Sequence, residues 1–317
     1  MPKVTVVIPN FNGCSYLPRL YESLGRQTCS DFCIMLVDNG SKDESVAWTR
    51  DHFPQIEVAA LPCNTGFAAA VNEGIRRSRT PYVLLLNNDT EVEQRFVEKL
   101  LEAIEAHPRA IAVQAKLLRF DQRDRIDDAG DFYCALGWAY ARGKGKNFRK
   151  YNKEERIFAC CAGAAIYRRQ ETLALGAFDE EYFAYLEDID LGYRARIQGM
   201  ENWYQPDAIV YHVGSGTSGS RYNEFKVRYS SRNNVYMIGK NMPLPQLLLN
   251  LPFLAAGFIV KQCFFLYRGM GREYLAGIWN GLQLSRKGKK AKFEIKNLKY
   301  YIMIQWELWM NTIRRFL

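Results

Sequence analysis

Residues 82–89 read Tyr-Val-Leu-Leu-Leu-Asn-Asn-Asp. The apolar part shows no alternation, which fits a strand covered on both faces, and it ends abruptly in polar side chains. From an extended backbone, Asn87 and Asp89 point the same way. Hard divalent cations such as Mg²⁺ or Mn²⁺ take oxygen ligands and share them with substrate phosphates. In open α/β sheets, ligands bind beyond the carboxyl ends of the strands. The run is therefore a candidate site for a metal and a phosphate-bearing substrate, although Asn and Asp also populate ordinary turns.

A second set of acids lies further along. Glu187, Asp188 and Asp190 fall within four residues at the start of a helix expected over residues 188–198. Acids at a helix start are favoured by the backbone dipole, which explains one of them more easily than three. Crowded carboxylates raise one another's pKa, and that suits a general base.

The elements that must position these groups are legible as repeated strand–helix units. Strands are expected at Val4–Ile8, Cys33–Val37, Ile56–Ala60 and Tyr82–Leu86, with helices over residues 16–26, 44–52 and 68–77. Such units form a mostly parallel sheet flanked by helices. The first strand ends in Pro9-Asn10-Phe11-Asn12-Gly13 and the second in Asp38, whose carboxylate could accept a hydrogen bond from the imide N–H of uracil or thymine. Asn64-Thr65-Gly66-Phe67 opens a helix whose N-terminal N–H groups favour an anion. No G-x-G-x-x-G follows the first strand and no P-loop motif occurs, which argues against a dinucleotide oxidoreductase and a P-loop NTPase.

The 317 residues allow one large domain, or one domain with an appendage. The 8 cysteines lack C-x-x-C or zinc spacing, so free thiols in a reducing compartment are expected. The N-terminus enters a strand at once, so no signal peptide is expected and the cytoplasm is the expected address. The net charge of +9 is uneven: residues 221–317 carry 17 Lys and Arg against 4 Glu and no Asp, a surplus of +13, which leaves −4 for the rest. Nucleic acid or an anionic membrane could answer that charge. Leu244–Tyr267 is apolar but contains Gln246, Asn250, Pro252, Lys261 and Gln262. An interfacial or re-entrant helix is preferred to a packed helical hairpin, and that to a full span. The basic run at residues 286–292, with Trp279, Trp306 and Trp309, reads as a peripheral membrane face. Nucleic acid fits poorly, since no recognised binding module accompanies the charge.

Several motifs in order resemble the GT-A glycosyltransferases of family 2. They are residues 7–12, Val37-Asp38-Asn39-Gly40-Ser41, Asn64-Thr65-Gly66-Phe67-Ala68 with Asn72, residues 86–89, Cys161-Ala162-Gly163-Ala164, residues 178–183, Glu187-Asp188-Ile189-Asp190-Leu191 with Arg194, and Tyr211-His212. In tone the chain is similar to bacterial rhamnosyltransferases that build O-antigen and other cell-surface polysaccharides. The resemblance, which covers residues 3 to about 240, implies a GT-A catalytic domain over residues 1–225, while charge and apolarity together make 226–317 a helical, basic region expected to associate with a membrane. It implies inverting transfer of a sugar, L-rhamnose from dTDP-rhamnose or a hexose from a UDP-sugar, to a hydroxyl of a lipid-linked or polysaccharide acceptor. In that frame Asp38 reads the base, and Pro9, Asn10, Asn12, Asn64, Gly66, Asn72, Asn87 and Asn88 line the nucleotide-sugar site. Asn87 stands where the family has the first Asp of Asp-x-Asp, so Asp89 and His212 are the expected ligands of Mg²⁺ or Mn²⁺. Asp188 is the expected base, assisted by Glu187. Gly163, Ala164, Asp190 and Arg232 are expected beside the acceptor, Arg232 near its phosphates.

Three other classes of protein share parts of this pattern. A sugar-nucleotide pyrophosphorylase lacks support, because its N-terminal Gly-rich loop is missing. A processive synthase would carry Gln-x-x-Arg-Trp and several spans. A non-catalytic carbohydrate-binding protein on the same fold would not need Asp38, Asp89, Asp188 and His212 together.

Overall fold

The computed structural model describes residues 2–214 and 222–317. The first part alternates β1 (Val4–Asn10), α1 (Leu17–Gly25), β2 (Phe32–Asp38), α2 (Ser45–His52), β3 (Glu57–Ala60), α3 (Phe67–Arg77) and β4 (Tyr82–Leu86). It continues through β5 (Thr90–Val92), α4 (Phe96–Ala106), β6 (Ala110–Arg119), β7 (Ile126–Asp128), β8 (Asp131–Cys134), β9 (Trp138–Ala141), β10 (Glu155–Ile157), β11 (Ala164–Arg168) and α5 (Arg169–Ala174). Then come α6 (Glu187–Ile197), β12 (Glu201–His212) and four helices, α7 (Glu224–Asn241), α8 (Leu244–Tyr267), α9 (Gly271–Lys287) and α10 (Leu298–Phe316).

The main sheet runs β10-β12-β6-β11-β4-β1-β2-β3, with β5 on β12 and β7 on β6. β3, β2, β1 and β4 are mutually parallel. β11 is antiparallel to β4 and to β6, and β6 is parallel to β12. The carboxyl ends of β1, β2, β4, β6 and β12 therefore share one edge. β4 lacks alternation because both faces are covered. Leu84 and Leu86 pack with β1 and helices α1 and α4 on one side, while Val83 and Leu85 join the cluster of α3, α6, α7 and α10 on the other.

The expected division after residue 225 falls inside the first turn of α7. That helix shares the main core, with Tyr236, Met237 and Ile238 in the same cluster as Val7 and Leu85, and α10 adds Tyr301, Ile304 and Leu308. α9 lies close along α7 because Gly277 and Gly281 carry no side chain; a methyl at either would overlap Ser231 or the Arg232 carbonyl. α8 continues through Pro252 for 24 residues. Two of its polar residues turn inward: Asn250 and Gln305 exchange amide hydrogen bonds of 2.7 and 2.8 Å, and Tyr193 donates to Gln246 at 2.7 Å. Its outer face leaves Leu248, Leu249, Leu251, Phe253, Ile259 and Val260 exposed. Among the described residues it is the one helix long and apolar enough to cross a bilayer.

A buried charge network ties α6 to α7. Lys240 Nζ donates to Asp179 Oδ2 at 2.6 Å and Asp190 Oδ2 at 2.9 Å, Arg194 Nε donates to Asp190 Oδ2 at 2.8 Å, and Asn241 donates to Asp190 Oδ1 at 2.8 Å. Two carboxylates meet two cations, so the cluster is neutral. Removing one member leaves buried charge unpaired, which typically costs about 3–5 kcal/mol. Lys240→Met should lower the unfolding free energy by about that amount in urea denaturation; a loss below about 1 kcal/mol, the scale of an exposed pair, would contradict the role given to this lysine.

Candidate active site

The shared strand edge opens into a cleft of about 2200 Å³. Parallel register sets Asn10 beside Asp38. Asn88 Nδ2 donates to Asn10 Oδ1 at 2.7 Å, and Asn10 Nδ2 donates to Asp38 Oδ1 at 2.8 Å. Asp38 Oδ1 also accepts from the Ser41 hydroxyl at 2.5 Å, and Oδ2 accepts from the Ser41 N–H at 2.9 Å. The three strand ends are thus wired together. Asp38 is buried beneath the cleft, and a carboxylate oxygen has room for a second bond, so Oδ2 keeps one lone pair. Gly13 closes over this chain, since an added Cβ would collide with Asn88 and Asn10. Beside it, Asn39 Oδ1 accepts from the Thr65 N–H at 2.9 Å, and Asn39 Nδ2 donates to Asn64 Oδ1 at 3.1 Å, holding the turn that opens α3. Pro9, Asn64, Gly66, Asn87 and Asn88 line the cleft.

The topology explains why His212 meets Asp89. β5 follows Asp89 directly and pairs antiparallel with β12, in register Thr90 to His212. His212 Nε2 stands 3.3 Å from Asp89 Oδ1, and Nδ1 stands 2.8 Å from Asp127 Oδ2. Asn87 Nδ2 is 3.4 Å from the same Nε2. Burial opposes a charge on the imidazole, but Asp127 and Asp89 outweigh it and push its pKa up to about 10. A proton is held where a cation would be welcome.

Two ligand atoms at right angles on an ion with bonds of about 2.1 Å stand about 3 Å apart, so Asp89 and His212 fit one octahedral divalent ion. Asp127, on Nδ1, is the carboxylate that fixes a ligating histidine's tautomer. Asp127 is in turn bonded by Lys144 at 2.9 Å.

On the facing side, α6 brings its first turn into the cleft. Glu187 and Asp188 line it, with Asp128, Asp131, Cys161 and Gly163. No ion pair to any of these four acids occurs among the described residues. The ligating atoms of Asp128, Asp131 and Cys161 lie within 4.8 Å of one another. Burial, and then the charge of Asp128, raise Asp188 to about 6. Burial and the neighbouring Asp188 likewise push Glu187 well above the usual carboxylate range. One Glu187 oxygen, Oε2, is buried without a hydrogen-bond partner. The turn before α6 is strained: Phe183, Tyr185 and Leu186 have φ of 61°, 74° and 69°. The left-handed region costs such residues of order 1–2 kcal/mol each. Asn233 and Arg232 hold the turn, Asn233 Nδ2 reaching the carbonyls of Tyr182, Ala184 and Tyr185 at 2.8–2.9 Å.

Several expected site residues take other roles. Asp190 is fully buried in the Lys240–Arg194 network and does not reach the cleft. Arg232 donates to the carbonyls of Glu181 and Tyr182 at 2.6 and 3.0 Å and so braces the turn instead of facing an acceptor. Asn72 is buried and spends its amide on Phe178 and Glu180. Asn12 holds the Lys42 N–H at 2.8 Å from an exposed position. Ala164 is buried within β11, while its neighbour Gly163 lines the cleft. Asp127, Asp128, Asp131 and Asn39 were not singled out. Residues 126–131, Ile-Asp-Asp-Ala-Gly-Asp, were the available signal, but nothing in their spacing indicates a neighbour more than 80 residues away at His212.

A sheet of this topology, with a metal-capable pair at one wall of the cleft and uncompensated carboxyls at the other, defines a GT-A nucleotide-sugar glycosyltransferase. Residues 5–173 match Glycosyl transferase family 2, and the chain belongs to that family. An N-acetylglucosaminyl-diphospho-decaprenol L-rhamnosyltransferase of Mycobacterium tuberculosis is 27% identical over 237 residues, which is 68% of this chain and 77% of that protein. A PGL/p-HBAD biosynthesis glycosyltransferase of Mycobacterium bovis is 24% identical over 198 residues, 56% of this chain and 77% of that protein. Among solved structures, GalNAc-T7 with UDP, GalNAc and Mn²⁺ superposes with a TM-score of 0.62 at 18% identity, covering 75% of this chain but only 48% of that enzyme. The mannosyltransferase PcManGT from Pyrobaculum calidifontis, with GDP-Man and Mn²⁺, gives 0.56 at 15% identity over 89% of this chain and 87% of that one. These two likenesses carry the fold.

The second-sphere role of Asp127 is open to direct measurement. Asp127→Asn should weaken Mn²⁺ binding about 10- to 100-fold in calorimetric titration. Affinity unchanged from wild type would remove Asp127 from the site.

Proposed function

We propose that the protein is an inverting, divalent-metal-dependent hexosyltransferase that moves L-rhamnose from dTDP-rhamnose to a hydroxyl of a lipid-linked or polysaccharide acceptor, at the inner face of the cell membrane. The observation that carries the chemistry is Asp188, a half-buried cleft carboxyl with no ion-pair partner among the described residues and a pKa raised to about 6. A base of that strength is ionised at neutral pH and still takes a proton readily. The rhamnosyl donor rests on the name of the 27% identical mycobacterial relative.

In this reading Asp38 offers Oδ2 to the imide N–H of the pyrimidine, while Asn10 and Asn88 hold that carboxylate in place. Asp89 and His212 would hold the ion, which would supply charge neutralisation for the departing diphosphate. Asp188 takes the proton of the acceptor hydroxyl as its oxygen bonds to the anomeric carbon and the carbon–phosphate-oxygen bond breaks. One displacement inverts the centre, and no second carboxylate is required as nucleophile. Glu187, with its unpartnered oxygen, is placed to hold a second acceptor hydroxyl. The strained turn at residues 183–186 and its Asn233 brace keep both acids aimed into the cleft.

The exposed apolar face of α8, with Trp279 and Trp306 and the basic residues 286–292, supports peripheral attachment to an anionic bilayer.

Asp188→Asn should lower transfer by about 10²- to 10⁴-fold while dTDP-sugar affinity, read by thermal shift across a panel of dTDP- and UDP-sugars, stays near wild type. Wild-type-like turnover would remove Asp188 as base. A panel in which dTDP-rhamnose gives no stabilisation while a UDP-hexose does would replace the donor.

A further inference from the structure

The cleft does not end at the acids. Its far end is formed where α8 and α10 pack on the β8–β9 hairpin, and three cations converge there. Lys261 Nζ lies over the Trp138 ring at 5.9 Å, Arg315 over Tyr140 at 5.5 Å, and Arg314 over Phe132 at 5.5 Å. All three line the cleft. None has an acidic partner among the described residues. Lys261 makes no hydrogen bond there, and its half-buried ammonium is pushed down to about 8, first by burial, with Arg315 adding to the effect. Three positive charges gathered without a counter-ion, on a wall of aromatic rings, form a site for an anion.

The hairpin sets the distance from the chemistry. Asp131 opens β8, and Cys134, which closes it, pairs with Trp138. Arg314 and Arg315, over the paired rings of Phe132 and Tyr140, thus lie nearer to Asp131 than Lys261, which, over Trp138, is three residues of strand from it, about 10 Å. That is about the span of one sugar ring and its attached phosphate. Beyond the cations, Phe264 and Val260 line the cleft and are exposed, so an apolar tail leaving the site would run onto the outer face of α8. Trp138 is fixed for this by its indole N–H, which donates to the Gly257 carbonyl at 3.1 Å, and Gly257 itself abuts the Leu136 carbonyl so closely that no side chain fits.

We propose that Lys261, Arg314 and Arg315 form a subsite for the diphosphate of an amphiphilic acceptor, whose hydrocarbon chain lies along α8 while its sugar reaches Asp188. This rests on the acceptor reading of the cleft given above. Arginine and lysine bind phosphate through charge-assisted bonds, and the aromatic rings carry the transition from charge to hydrocarbon. The same chemistry could serve anionic headgroups of a bilayer, and the two sources are separable.

The test uses the full chain and a double variant, Lys261→Met with Arg315→Gln. Its probes are farnesyl diphosphate, inorganic pyrophosphate, vesicles of phosphatidylcholine with phosphatidylglycerol, and dTDP. The expected result is at least a tenfold loss of farnesyl diphosphate affinity, a weaker and equally charge-sensitive competition by pyrophosphate, unchanged vesicle flotation and an unchanged thermal shift with dTDP. Unchanged farnesyl diphosphate affinity overturns the subsite. Lost flotation with unchanged farnesyl diphosphate affinity assigns the cations to bilayer headgroups and also overturns it. Loss of the dTDP shift overturns it too, because these residues would then act through the fold. The transferase reading fails separately, if wild type releases no nucleoside diphosphate from any sugar nucleotide; charge-dependent farnesyl diphosphate binding would stand in that case.

Discussion

Three carboxylates enter the first turn of α6 and meet opposite environments. Asp190 turns into the core, where Lys240, Arg194 and Asn241 meet it; burial works against its ionisation, but these partners hold it below the ordinary carboxylate range. Glu187 and Asp188 turn into the cleft without an ion-pair partner among the described residues, and both are raised. The neutral network around Asp190 fixes α6 against α7, and so decides where Asp188 points. The same helix start thus contains one acid that stabilises the fold and one that is left reactive. The remaining architecture can be read as support for this sorting: the strained turn that enters α6, the Asn233 brace, and the glycines that let α9 close over α7.

The opposite wall obeys a complementary rule. His212 lies between two carboxylates, whose hydrogen bonds and charge favour its protonated form against burial. A divalent ion on Asp89 and His212 would displace that proton, and metal affinity at such a site falls as pH falls. Across the cleft a positive centre therefore faces an acid cluster without one. A nucleotide-sugar, anionic at its diphosphate and electrophilic at its anomeric carbon, is a good match to that polarity.

The strand–helix alternation, the apolar β4 and the polar strand ends were legible in sequence because each is written in local periodicity. So were the acids of α6 as a group. Which acid faces the cleft was not, because the choice is made by Lys240, some fifty positions away in α7. Asp127 was missed for the same reason: its meeting with His212 depends on β7 and β12 both joining β6. Arg232 and Asn72 have the residue types of ligand contacts, and only their carbonyl partners identify them as braces. In α8, Gln246 and Asn250, two of the polar residues that interrupt the apolar run, proved to lie on its inward face, paired with Tyr193 and α10.

The pH dependence of the turnover number tests the central claim most directly. A base must be ionised to act, so activity is lost as pH falls through its pKa, and Asp188 sits at about 6. Because Asp188 shares its cleft with Asp128, the limb belongs to the coupled acids together. The account predicts a plateau above neutral pH and a tenfold fall per unit below about 6. A profile flat down to the ordinary carboxylate range near 4 would mean that the group acting as base is paired with a cation or open to water, and would contradict it.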